Sequence, residues 1–176
     1  MNTKTFLVTL GLAAGLAAPL AAADRPAGST AVEVTYAEPE KFTDVQDSFG
    51  ASERPNENYL RLLKEHLQRV GAKRLADGQR LSVTITDIDM AGDFEPWRSP
   101  QFQDVRIIKD IYPPRIDLTF QLTDASGAVI AEGERELRDL SFNMRSTGLP
   151  TNDSLRHEKA LLDDWLRREL RRAKKS

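Results

Sequence analysis

Residues 116–137 read IDLTFQLTDASGAVIAEGEREL, and this stretch decides the fold. Ile116, Leu118, Phe120 and Leu122 alternate with Asp117, Thr119 and Gln121, the period of a strand with one face buried and the other in water. Asp124-Ala125-Ser126-Gly127 has the composition of a tight turn. Residues 128–137 follow as the return arm, with Val129, Ala131, Gly133 and Leu137 less regularly placed. Two arms joined by so short a turn pair antiparallel.

Moving towards the N-terminus, Pro113-Pro114 stops a short strand within residues 105–112, because proline cannot donate to a ladder. Residues 89–104 form a long connection carrying Gly92, Phe94, Pro96, Trp97 and Pro100. Leu81, Val83 and Ile85 alternate in a second strand over residues 80–87, preceded by an Asp77-Gly78 turn. Tyr59, Leu60, Leu63, Leu67 and Val70 recur at helical spacing, with Arg61, Lys64, Glu65 and Arg69 on the other side. Asn56 or Asn58 caps that helix and Gly71 falls near its end. Val32, Val34 and Tyr36 mark the first strand, and residues 37–55 read as loop. Beyond the hairpin, residues 143–154 are loop with an Asn152-Asp153-Ser154 cap cluster. Leu155, Leu162, Trp165, Leu166 and Leu170 then mark a terminal helix.

The order β-α-β, loop, β-hairpin, α predicts the α+β class: one small mixed sheet of about four strands in β-α-β-β-β-α order, with two helices packed on one face. A chain of 176 residues is the length of one domain. Four segments are expected: a signal peptide over 1–23, a flexible leader over 24–30, a single domain over 31–172 and a basic tail over 173–176.

The signal reading rests on Lys4, an apolar run over residues 6–20, and Ala21-Ala22-Ala23 before Asp24. Cleavage is expected after Ala23, which places the protein in the periplasm. The remaining 153 residues carry 24 basic and 27 acidic side chains, since Lys4 is the only charge removed. No global basic field of the kind nucleic-acid binders carry is present. The chain has no cysteine, which excludes a disulfide framework, a thiol nucleophile, a cysteine zinc site and a cysteine-linked lipid. No cofactor signature occurs, and no transmembrane segment is expected once the signal is removed.

Asp87-Ile88-Asp89-Met90-Ala91-Gly92-Asp93 is the one local run that invites a metal, with Asp87, Asp89 and Asp93 as ligands. Asp87, Asp89 and Gly92 fill the first, third and sixth places of a calcium loop, but Ala91 and Arg98 occupy the fifth and twelfth. The competing reading is a strand end whose acids stay in water or bond nearby amides. His66 and His157 lie on predicted helices and read as surface or cap residues. His157-Glu158 begins like a zinc-protease helix, but Leu161 stands where the second histidine belongs. Phe94, Trp97, Arg98 and Phe102 are the candidate ligand- or partner-binding residues. Their aromatic rings either form a recognition surface or fold back onto the sheet. Residues 167–176 hold six basic side chains and one Glu. They provide a weak contact for an anionic surface, or simply complement the helix dipole.

The segments VEVTYAEPEKFTDV (32–45), NYLRLLKEHLQ (58–68), LSVTITDIDMAGDFEP (81–96), VRIIKDIYPPRIDLTFQLTD (105–124) and HEKALLDDWLRREL (157–170) together resemble domain of unknown function 3016, a family of secreted proteobacterial proteins. The resemblance implies a periplasmic location and a single domain. It implies no activity and supplies no catalytic residues.

Three functions fit these residues. The first is a non-enzymatic module that binds an envelope protein or envelope component. The second is a carboxylate- or metal-dependent hydrolase using the Asp87–Asp93 loop. The third is a small-ligand carrier with Trp97 at the mouth of its pocket.

Overall fold

The valine-tyrosine alternation at the start of the domain forms β1 (Val32–Tyr36). In the computed structural model, which describes residues 31–50 and 54–174, this strand leads through a short 3-10 turn to helix α1 (Glu57–Ala72) and then to β2 (Arg80–Asp89). The proposed signal, the leader and the last two residues of the tail lie outside the described residues. Two-residue strands β3 (Asp93–Phe94) and β4 (Arg106–Ile107) pair with each other. The hairpin follows as β5 (Arg115–Thr123) and β6 (Val129–Arg138), and the chain closes with helix α2 (Arg156–Ala173).

The sheet order is β1-β2-β5-β6. β1 runs parallel to β2 across α1, whereas β2, β5 and β6 are antiparallel. The class, the mixed sheet and the two-helix layer are therefore as the sequence predicts. Val32, Val34, Val83, Ile85, Ile116, Leu118, Phe120 and Leu122 pack against Leu63, Leu67, Leu162, Trp165 and Leu166 in one core. The opposite sheet face carries Ser82, Thr84, Thr119, Gln121, Glu132 and Glu134 into water. No helix among the described residues is long and apolar enough to cross a membrane.

One irregularity positions the candidate site. In β2 the register shifts between Ile85 and Asp87, so Thr86 is an extra residue. Up to that bulge the odd residues Leu81, Val83 and Ile85 face the core; beyond it, Ile88 does. A strand without the bulge would drive Asp87 and Asp89 into the core, since a one-residue slip exchanges the faces.

α1 is capped by Asn56, whose Oδ1 accepts from the backbone N–H of Asn58 (3.0 Å) and Tyr59 (3.2 Å). Its Nδ2 also donates to Asp47 (2.8 Å), tying the helix start to the segment after β1. Asn56→Ala is expected to cost about 1 kcal/mol, read as a lower urea midpoint at unchanged slope. At α2 the cap is made by Asp153 alone, whose Oδ1 accepts from Leu155 N (3.0 Å). The residue at the cap position, Leu155, has no side-chain acceptor to offer.

Candidate functional site

After β1 the chain loops out and returns beside the end of β2. There Asp44 N donates to Ile88 O (2.9 Å), Met90 N donates to Asp44 O (3.2 Å), and Asp44 bridges to Asp89. Thr43 gives both its N–H and its hydroxyl to Asp87, each at 2.7 Å. The site thus forms beyond the carboxyl ends of the parallel pair β1 and β2, where open sheets commonly leave a crevice.

Arg106 on β4 clamps this region. Its guanidinium donates to both oxygens of Asp44 (2.6 and 3.0 Å), to Gln46 O (2.8 Å) and to Gly92 O (3.0 Å), and lies 4.5 Å over the Phe94 ring. Gly92 has φ +80°, and a Cβ there would stand 2.7 Å from Ile107 O, so only glycine permits β3 to approach β4. Behind them, buried Glu95 accepts from Lys109, from the Tyr112 hydroxyl (3.1 Å) and from Arg98 Nε (3.2 Å). The Lys109 ammonium holds its carboxyl below the usual range. These bonds give the long 89–104 connection a fixed base.

The result is a cleft of about 470 Å³ lined by Asp44, Asp89 and Asp93, by Phe49, Met90, Phe94, Ile111, Tyr112 and Pro113, and by Arg138. Asp44 is spent on Arg106. Asp89 has only Arg115, at 4.0 Å, and Asp93 forms no ion pair among the described residues, accepting only from Phe94 N (2.7 Å). Burial pushes the Asp89 carboxyl above its usual range; Arg115 opposes this, and Asp44, Asp87 and Asp93 add to it. The cleft therefore presents two carboxylates beside apolar surface, and a cation between them would relieve their mutual repulsion.

Under the cleft floor lies Glu158, fully buried on the first turn of α2. Its Oε1 accepts from Ala91 N at 2.7 Å, while Oε2 has no partner. Burial raises its pKa to about 6.

Among the residues singled out from sequence, Asp87 turns to Arg115 (2.6 Å) and Thr43 and does not line the cleft. Asp89 and Asp93 do line it. No group of three or more His, Cys, Asp or Glu among the described residues is arranged to hold a metal ion, so Asp87, Asp89 and Asp93 are not brought together as a ligand set. The aromatic loop divides: Phe94 folds inward beneath Arg106, whereas Trp97 (72% exposed) and Phe102 (51%) stay at the surface, and Arg98 turns to Glu95. Trp97 is not among the residues that line this cleft.

The two histidines require a correction, because neither is a surface or cap residue. His66 is buried and its Nε2 meets Asp163 at 2.8 Å, joining α1 to α2. His157 is buried edge-on against Phe142. A signal was present: His66 sits three residues after Leu63, and Glu158 three after Leu155 and four before Leu162, all on the apolar stripe. Nothing in the sequence marks Asp44 or Arg106, whose 62-residue separation is closed only by the fold.

Fold and site together define a two-layer α+β domain with an acidic cleft at the end of its parallel strands. The family model for proteins of unknown function DUF3016 matches residues 30–168, and the chain belongs to that family. No curated protein and no solved structure matches it.

Proposed function

We propose that this chain is an exported, non-enzymatic binding module of the cell envelope, whose cleft receives a cationic side chain flanked by apolar groups on a partner protein. The observation that carries the reading is the pairing of Asp89 and Asp93, neither held by a close cation, with apolar walls in one cleft. A lysine or arginine would find charge there and its neighbours would find area, the combination that gives an interface both specificity and affinity. Trp97 and Phe102 offer a further aromatic contact on the 89–104 connection. Hydrolysis is less well supported, because Asp87 is committed to Arg115 and Thr43.

Titration with a leucine-lysine-leucine peptide is expected to show saturable binding that a leucine-glutamate-leucine peptide lacks. Replacing Asp89 and Asp93 together by Asn should weaken it about tenfold or more, the worth of a charge-assisted hydrogen bond. Affinity should also fall as pH drops through the raised pKa of Asp89, since the protonated acid no longer attracts a cation. Equal binding of the two peptides would remove the proposal.

Export to the periplasm belongs to the same reading. It rests on Lys4, the apolar run and the Ala21-Ala22-Ala23 site. Mass spectrometry of the chain recovered from the envelope is expected to find Asp24 at the N-terminus; an intact Met1 would oppose cleavage.

A further inference from the structure

A second cleft, of about 360 Å³, lies where the residues after α1, the connection from β6 to α2 and α2 itself meet. We propose that it is a binding site for a small oxyanion, a phosphate or carboxylate group, held by Arg74, Arg145 and Arg167 with His157 in its wall.

The balance of donors carries the argument. Three carboxylates also line this cleft, and each is already engaged. Asp139 accepts from Arg145 and from Ser141 N; Asp163 meets His66 at 2.8 Å; Asp164 accepts from Arg145 and from Arg167. The three guanidiniums have five N–H donors apiece, far more than these contacts use. Arg74, half-buried, makes no side-chain hydrogen bond or ion pair with any described residue. Arg145 and Arg167 keep about half of their side chains in solvent, so the spare donors of all three guanidiniums are open to an oxyanion, which would accept from them in the planar, forked geometry guanidinium groups favour.

His157 gives the independent sign. The residue is 7% exposed, and neither ring nitrogen has a partner. Buried polar atoms are nearly always bonded, so two orphans on one ring call for a partner outside the chain. The groups facing the ring are Phe142 and Asp139 from the β6–α2 connection and Arg156 from its own helix. Burial first, and Arg156 second, push the imidazole pKa below its usual value, which favours the neutral ring with one donor and one acceptor. His157 belongs to the lining of the cleft, and both of its ring nitrogens are buried in that wall. Ser146 and Thr147 add hydroxyls at the margin.

The test is calorimetric titration of the chain with inorganic phosphate and, separately, with citrate, followed by nitrogen-detected NMR of the histidine side chains. Saturable binding of at least one anion is expected, together with a shift of the His157 resonances. Phosphate alone would identify a phosphate group as the ligand, citrate alone a carboxylate, and both the oxyanion class in general. Arg74→Gln should weaken binding about tenfold with no change in thermal midpoint, because the Arg74 side chain bonds none of the described residues. Replacing Asp89 and Asp93 by Asn should leave anion binding intact, which separates this site from the acidic cleft. Binding of neither anion, equal binding by the Arg74→Gln chain, or an unmoved His157 signal overturns the proposal.

Discussion

Arg106→Ala is expected to lower stability by about 3 kcal/mol and to abolish peptide binding in the acidic cleft. The guanidinium is largely buried, as is its partner Asp44, with 15% and 19% of the side chains exposed. Removing it leaves the Asp44 carboxylate with the weak bond from Gln46 N (3.2 Å) and strips Gln46 O and Gly92 O of this donor. Truncating one member of a buried ion pair costs roughly 3–5 kcal/mol, and the partial exposure here puts the effect at the low end. The loss reaches function because Arg106 holds three segments at once: 44–46, 92–94 and its own strand. Arg106→Lys keeps the charge but not the fork, so it should recover stability only in part and binding less still. Urea denaturation measures the first effect and peptide titration the second. A loss below about 1 kcal/mol would place the pair with ordinary surface ion pairs.

Glu158→Gln is expected to stabilise the protein above pH 6 and to leave it unchanged near pH 4.5. In the folded chain Glu158 has its pKa raised from 4.5 to about 6. Between those values the folded state binds more protons than the unfolded state, so stability falls as pH rises through the window. The shift amounts to about 2 kcal/mol of stability that is present at low pH and lost once the carboxyl ionises. Glutamine keeps the acceptor for Ala91 N and cannot ionise. The difference between the two chains should therefore grow from near zero at pH 4.5 to at most about 2 kcal/mol at pH 8. Taking the difference matters, because Glu95, Asp124 and Asp153 have lowered pKa values and push the other way. A difference independent of pH would show that Glu158 does not ionise in this window. Since the Glu158–Ala91 bond lies directly under Met90 and Gly92, ionisation also acts on the floor of the cleft.

The alternation from Ile116 to Leu122 named its buried face residue by residue, because a strand has period two and one side of this sheet faces water. The α1 stripe of Leu60, Leu63 and Leu67 was equally legible. β6 was not regular in sequence, and its register gives the reason: the position opposite Phe120 is Gly133, and the next core-side position is Arg135. Arg135 lies 4.9 Å over the Phe120 ring and forms a fork with Glu169 (2.9 and 2.8 Å). A charged pair thus fills a place where the pattern calls for an apolar residue. The same holds for Glu158 and His66, which occupy core positions because partners far along the chain accept or donate to them.

The sequence by itself determined the class, the element order, the hairpin and an asparagine cap at 56 or 58, which the structure places at Asn56; all of these follow from local periodicity and local hydrogen bonding. Two acidic residues of the cleft, Asp89 and Asp93, were visible as a run. Only the tertiary structure decided what that run does: one bulge at Thr86 turned Asp87 and Asp89 away from the core, Arg115 took Asp87, and Arg106 took Asp44 from 62 residues away. Pairings at such separation leave no periodic trace. They arise from burial, which makes every charge near the core find a partner or carry the cost of lacking one.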